Sequence, residues 1–362
     1  MQANLPFPKK ERIQYIDALR GFTMILVVFH HVECFGFFNF SYESVIGQLF
    51  QSFRMPLFFF ISGFIAYKKN RVWNASTIGS LLKKKMLVQI IPALFLGLIY
   101  TYIFLHRDFK EFVTDPAKLG YWFTFVLLEM FVIYYFVSGI SHLLSKKTRL
   151  SEPILTTWLL ILTALCLYLL KSLFNVVPLL DSIGNYTSLH NTLKYFMYFV
   201  FGVLSRQYQQ EFENIIDNKY VSAIVLFLFS TTFYLSLQKP HLIFLPGIMA
   251  KVYETSVKLI PGFLGIVIVY AFFRKYAHSF TNSTKLGNML QYIGRRTLDI
   301  YVLHYFFLPH LPEVGDFLIS SNNMILELFV GIGLSLLIIG VCLCISNIIR
   351  ISSVLSKILL GS

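Results

Sequence analysis

Charged side chains are scarce in this sequence. Asp, Glu, Lys and Arg make up 14% of its 362 residues, 56% are hydrophobic, and the mean hydropathy is +0.66. Soluble domains carry about a quarter charged residues, so this composition excludes an ordinary soluble enzyme. No long hydrophilic stretch remains for a second domain, no low-complexity linker interrupts the chain, and no internal repeat stands out. Cysteine is equally uninformative. Cys34, Cys166, Cys342 and Cys344 lie in or beside apolar runs, without the paired spacing of a zinc site or the density of a disulfide framework.

What the chain does have is a series of apolar stretches of about 17 to 25 residues from end to end, the signature of a polytopic helical membrane protein. The first follows Lys9, Lys10 and Arg12 as a signal peptide would, but it is longer than an h-region and lacks a small-x-small cleavage site. It reads as a retained span. Ten helices are predicted, over 16–38, 45–66, 86–105, 121–144, 154–174, 191–205, 220–237, 257–273, 288–309 and 323–349, forming one all-α domain over 1–362. The short sixth span carries Lys194, and the piece 241–250 holds Pro246 and Gly247, so either is a candidate broken or re-entrant element. With both termini cytoplasmic, 21 of the 31 Lys and Arg residues fall on the inner side and 8 on the outer, as insertion alone selects. That bias accounts for most of the +13 net charge without nucleic acid, leaving membrane lipid as the surrounding partner.

The remaining ionisable groups lie inside the spans, where each costs at least ~2.5–3.5 kcal/mol to insert and so marks an interior or an aqueous path. In "DALRGFTMILVVFHHV", residues 17–32, Arg20 and His31 are eleven apart and return to within about 20° of one helix face, about 16 Å apart along the axis. His30 is rotated by about 80° from Arg20 and reads as a packing histidine. Asp17 and Arg20 are spaced to pair along the helix, which makes an interfacial anchor an alternative role for them. Counting rise from the assumed ends places His31 about 8 Å, Arg54 of "FRMPLFFFISGF" about 13 Å, Glu129 of "WFTFVLLEMFVIYY" about 12 Å and His304 of "LDIYVLHYFF" about 7 Å below the outer boundary. Glu129 beside Arg54 would relieve two charges at once, either as part of a site or as a bridge that fixes packing. Ser62 and Gly63 read as close-packing residues.

"RIQYIDALRGFTMILVVFHHV", "FRMPLFFFISGF", "YWFTFVLLEM" and "IGRRTLDIYVLH", in order over about residues 12–310, resemble the acyltransferase-3 family of bacterial membrane O-acyltransferases. The most specific feature is an Arg, ten intervening residues and a His, matched by Arg20 and His31. The resemblance implies ten helices in the cytoplasmic (inner) membrane. It also implies transfer of an acyl group, usually acetyl, from cytoplasmic acyl-CoA to a hydroxyl of a surface polysaccharide, lipid-linked sugar or other envelope glycan. Without the trailing hydrolase-like domain of some relatives, direct transfer inside the bundle is expected. "LKKKMLVQIIP" stands where many relatives carry arginines before a similarly placed Pro92, which weakens a CoA role for Lys83, Lys84 and Lys85.

In that setting Arg20, with Asp17 beside it, is the candidate for binding CoA phosphate or pantetheine oxygens, because guanidinium stays charged and offers several donors. His31 is the candidate base for the acceptor hydroxyl, and Arg54 the candidate for an oxyanion or the acceptor, with Glu129 orienting one of them. His304, for which packing is an equal alternative, and Trp122 are candidates for holding the glycan, and a covalent acyl-His or acyl-Tyr relay is a further route. The chemistry calls for no metal. Hydropathy and buried charges alone suit a glycan or lipid-linked sugar transporter or flippase equally well.

Overall fold

The computed structural model describes residues 12–38, 44–174, 176–238 and 247–361. The chain is all-helical: 85% is helix, with no strand among the described residues. In order, the α-helices are α1 (Gln14–His31), α2 (Val45–Ala66), α3 (Ala75–Lys85), α4 (Ile91–Ile103), α5 (Phe109–Thr114), α6 (Trp122–Ser145), α7 (Glu152–Phe174), α8 (Pro178–Tyr186), α9 (Leu189–Gln207), α10 (Gln209–Ile216), α11 (Lys219–Gln238), α12 (Gly247–Lys275), α13 (Lys285–Arg295), α14 (Thr297–Leu303), α15 (Pro312–Ser321), α16 (Met324–Ile349) and α17 (Ser353–Leu360). Side-chain caps start several of them: Ser44 Oγ accepts from the Gly47 N–H at 2.8 Å, Asn74 Oδ1 from Thr77 N–H at 2.8 Å, and Thr284 Oγ1 from Gly287 N–H at 3.0 Å.

Among the described residues, eight helical stretches are long and apolar enough to cross a membrane, including α1 with its π-helical extension to Gly36, and α3 and α4 joined through a π-turn at Met86–Ile90. The chain is a multi-pass membrane protein. The two expected spans that fall short, 191–205 and 288–309, do so for one physical reason. They lie against other helices, so their side chains are matched to protein and need not be uniformly apolar. The first corresponds to α9, with Thr192, Tyr198 and Ser205 buried; the second is broken at Arg296 into α13, α14 and a 3-10 turn, His304–Phe307. Of the piece 241–250, residues 241–246 lie outside the described residues and the rest begins α12.

Those two elements are also the tightest partners of the helices that carry the first two motifs. At the crossing of α1 and α13, a Cβ on Gly21 would strike the Leu290 carbonyl, and one on Gly294 the Asp17 carbonyl. At the crossing of α2 and α9, a Cβ on Gly63 would strike the Phe199 carbonyl, and one on Gly202 the Phe60 carbonyl. Facing glycines thus bring two pairs of backbones into contact, as small residues do in membrane bundles. The α1 and α2 helices also pack on each other. The polar part of "IGRRTLDIYVLH" is largely absorbed by structure: Asp299, 3% exposed, accepts from Ser346 Oγ at 2.6 Å and from Arg350 Nη2 at 2.8 Å, tying α14 to the end of α16.

Candidate active site

The register of α1 against α13 and α14 sets Arg20 and His31 against two adjoining cavities. Arg20 lines one of about 290 Å³ together with Ser62, Lys85, Gln89 and Thr297. His31 lines another of about 150 Å³ with His30, Gln51, Arg54, Trp122 and Tyr195. Both side chains therefore face the bundle interior. Phe58, Phe123 and Tyr301 belong to the walls of both cavities, so the two adjoin at a layer of three aromatic rings.

Around His31 the hydrogen bonds form a directed chain. His304, fully buried, has Nδ1 3.0 Å from the Ile300 carbonyl, which can only accept, so that nitrogen carries the hydrogen. With the ring neutral, His304 Nε2 must then accept, and it lies 2.7 Å from His31 Nδ1, which donates. That leaves the lone pair of His31 on Nε2. Tyr305 Oη is 3.3 Å from Nε2, but its hydrogen goes to the Gly120 carbonyl at 3.0 Å. The arrangement holds an accepting imidazole nitrogen beside a cavity, with its tautomer set from behind.

Gly120 matters to this chain because its carbonyl receives a second hydroxyl, Tyr301 Oη, at 3.1 Å. Its φ of +107° and the left-handed Lys118 and Leu119 before it, both at +47°, make a turn that suits glycine at its end. Any Cβ on Gly120 would meet the Tyr305 ring. Lys118 secures the turn. Its Nζ donates to the carbonyls of Val113 at 2.7 Å, Asp115 at 3.0 Å and Asn185 at 2.7 Å, and burial pushes its pKa below the usual lysine value.

Arg54 lies 7% exposed in the wall of the His31 cavity, and its Nε and Nη1 have no hydrogen-bond partner among the described residues. The expected pairing with Glu129 is absent. Glu129 instead accepts from the Ser188 N–H at 3.1 Å and from Thr192 Oγ1 at 2.5 Å, capping the start of α9, where first-turn N–H groups need an acceptor. Arg20 donates from Nη2 to Thr297 Oγ1 at 3.0 Å, and its Nη1 is 3.7 Å from Asp17. Asp17, outside the cavity wall, positions that guanidinium. Trp122 stacks with Tyr195 at 6.1 Å and both line the His31 cavity; His304 stands behind His31 as its hydrogen-bond partner.

Sequence reasoning discounted one wall residue, Lys85, and missed others. Lys85 lines the Arg20 cavity, its Nζ 3.7 Å from the centroid of the Phe131 ring, whereas Lys83 and Lys84 are exposed. Gln89 follows on the π-turn, and a second π segment, Val32–Gly36, begins directly after His31; such segments recur at functional sites. His30 also contributes to the His31 cavity but does not join the hydrogen bonds that link His31 to His304 and Tyr305. Tyr301 and Tyr305 were not singled out with His304, although the i, i+3 and i+4 spacing of the three is a signal that could have grouped them.

Fold and site together define a multi-pass helical membrane protein with a hydrogen-bonded imidazole pair beside one of two adjoining cavities. The chain belongs to the acyltransferase-3 family, described as an acyltransferase domain, whose match covers residues 13–344. It is a membrane acyltransferase, which requires an acyl donor and an acceptor. Among curated proteins and among solved structures, none matches the chain.

Proposed function

We propose that the protein is an O-acetyltransferase of the bacterial inner membrane that moves an acetyl group from cytoplasmic acetyl-CoA to a hydroxyl of a surface polysaccharide or lipid-linked sugar. In this reading ten helical segments cross the membrane and both termini are cytoplasmic, so the Arg20 cavity opens toward the cytosol. Arg20 and Lys85 hold anionic or carbonyl oxygens of the donor, and the thioester reaches the aromatic layer. The acceptor enters the His31 cavity, with Trp122 and Tyr195 offering stacking faces to a sugar. As the acceptor oxygen attacks the thioester carbonyl carbon, its proton moves to His31 Nε2 and Arg54 faces the developing oxyanion. The C–S bond then breaks, and the proton passes from His31 to the thiolate, releasing CoA as the thiol and leaving an O-acetyl ester.

The observation that carries this reading is the accepting nitrogen of His31 in one cavity wall with Arg54, whose Nε and Nη1 have no hydrogen-bond partner among the described residues. Purified protein in detergent should release CoA from acetyl-CoA and pass labelled acetyl to a surface-glycan fraction. His31→Ala should be inserted normally and inactive. Glycan crossing into vesicles with no acetyl transferred to any acceptor would favour a transporter and refute the proposal.

A further inference from the structure

The layer between the cavities is firmly held. Phe58 from α2, Phe123 from α6 and Tyr301 from α14 are each 6–9% exposed. The Phe58 and Phe123 rings meet edge to face with centroids 4.7 Å apart, and Phe123 and Tyr301 do so at 5.5 Å. Phe59 backs Phe123 at 5.2 Å. Two hydrogen bonds hold the Tyr301 hydroxyl: it accepts from the Phe123 N–H at 3.1 Å and donates to the Gly120 carbonyl at 3.1 Å. The layer therefore spans three helices and a clamped turn, and no single rotamer change removes it.

Beyond the layer, space is short. The His31 cavity holds about 150 Å³, roughly half the volume on the Arg20 side. A water takes about 30 Å³ of liquid, and a methyl or methylene group is of similar size, so the cavity has room for about five such groups. The acyl group and the acceptor hydroxyl with its carbon must share that room.

We propose that Phe58, Phe123 and Tyr301 set the length of the acyl group, passing an acetyl and refusing a medium or long chain. The inference rests on the reading of the Arg20 cavity as the thioester side. An acetyl group places only one methyl past its carbonyl. An octanoyl chain would exceed the whole His31 cavity or force two buried rings aside. The rings take no part in bond making; they are specificity determinants that act by volume.

Free CoA released from acetyl-, butyryl- and octanoyl-CoA by the purified protein in detergent, with a surface-glycan fraction present as acceptor, provides the test. Wild-type turnover should fall steeply with chain length. Phe58→Ala and Phe123→Ala should each raise the octanoyl-to-acetyl ratio by about tenfold or more, the discrimination a tight pocket gives for a methylene or two. If either fails to elute as a monodisperse species, Phe58→Leu and Phe123→Leu should shift the ratio the same way by less. Octanoyl turnover by the wild type equal to acetyl turnover overturns the proposal without any variant. A length profile unchanged in well-folded variants also overturns it while leaving the donor reading intact. No turnover of any acyl-CoA by the wild type refutes the donor reading itself.

Discussion

His304 makes no contact with either cavity, yet the hydrogen-bond chain assigns it control over the base. His304→Phe keeps a ring of similar size and removes both nitrogens. His31 Nδ1–H then loses its acceptor at 2.7 Å, and the phenyl ring standing at the fully buried position of His304 offers none in its place. Leaving a buried donor unpaired costs about 1–3 kcal/mol. That penalty falls only on the tautomer that presents a lone pair at Nε2, because the other tautomer has no Nδ1 hydrogen to strand. At 1.36 kcal/mol per factor of ten, the reactive tautomer is depleted between about 5- and 150-fold, and kcat should fall by the same factor. His31→Ala, which removes the base, should cost about 10²–10⁴-fold.

Steady-state kinetics on the purified variants separate this positioning role from a merely structural one. The KM for acetyl-CoA should stay within about twofold of wild type in His304→Phe, since Arg20 and Thr297 are untouched. His304→Gln, whose amide oxygen can reach the place of Nε2, should recover part of kcat. In the His31→Ala background, His304→Phe should cost nothing further, because two groups acting as one unit are not additive. A normal kcat in correctly inserted His304→Phe, or a further loss in the double variant, refutes the tautomer argument.

Arg54→Met should raise the thermal midpoint while lowering kcat by about 10²–10³-fold, since a buried cation with Nε and Nη1 left unpartnered costs stability and an oxyanion donor supplies rate; an active or a destabilised variant contradicts that trade. Arg20→Met and Lys85→Met should raise the KM for acetyl-CoA with smaller effects on kcat, and the wild-type KM should itself rise with salt. Glu129→Ala should leave kcat nearly unchanged in the folded fraction and lower stability by about 1–3 kcal/mol, because it strands the Ser188 N–H; a large kcat defect with normal stability would return Glu129 to the catalytic set. Gly294→Ala should destabilise by at least about 1–3 kcal/mol, measured by thermal unfolding, because its Cβ has no room against the Asp17 carbonyl.

What the sequence made legible and what it hid divide along a physical line. The eleven-residue spacing of Arg20 and His31 was readable because it lies on one rod, and helical geometry alone puts both on the face that meets α13 and α14. Reading across rods was less secure. Counting rise grouped His31, Arg54, Glu129 and His304 by depth, but depth fixes height and leaves the angle around each helix axis open. The angle sends Glu129 to the cap of α9 and turns His304 onto His31. Hydropathy met the same boundary in 191–205 and 288–309, whose surroundings are other helices, so lipid scales measure the wrong solvent for them. The facing glycines show why those segments nevertheless matter: Gly21 on Gly294 and Gly63 on Gly202 hold α1 and α2 by backbone contact. A site assembled on two such crossings needs its polar residues only where the cavities lie, and the rest of each helix is free to look like an ordinary membrane span.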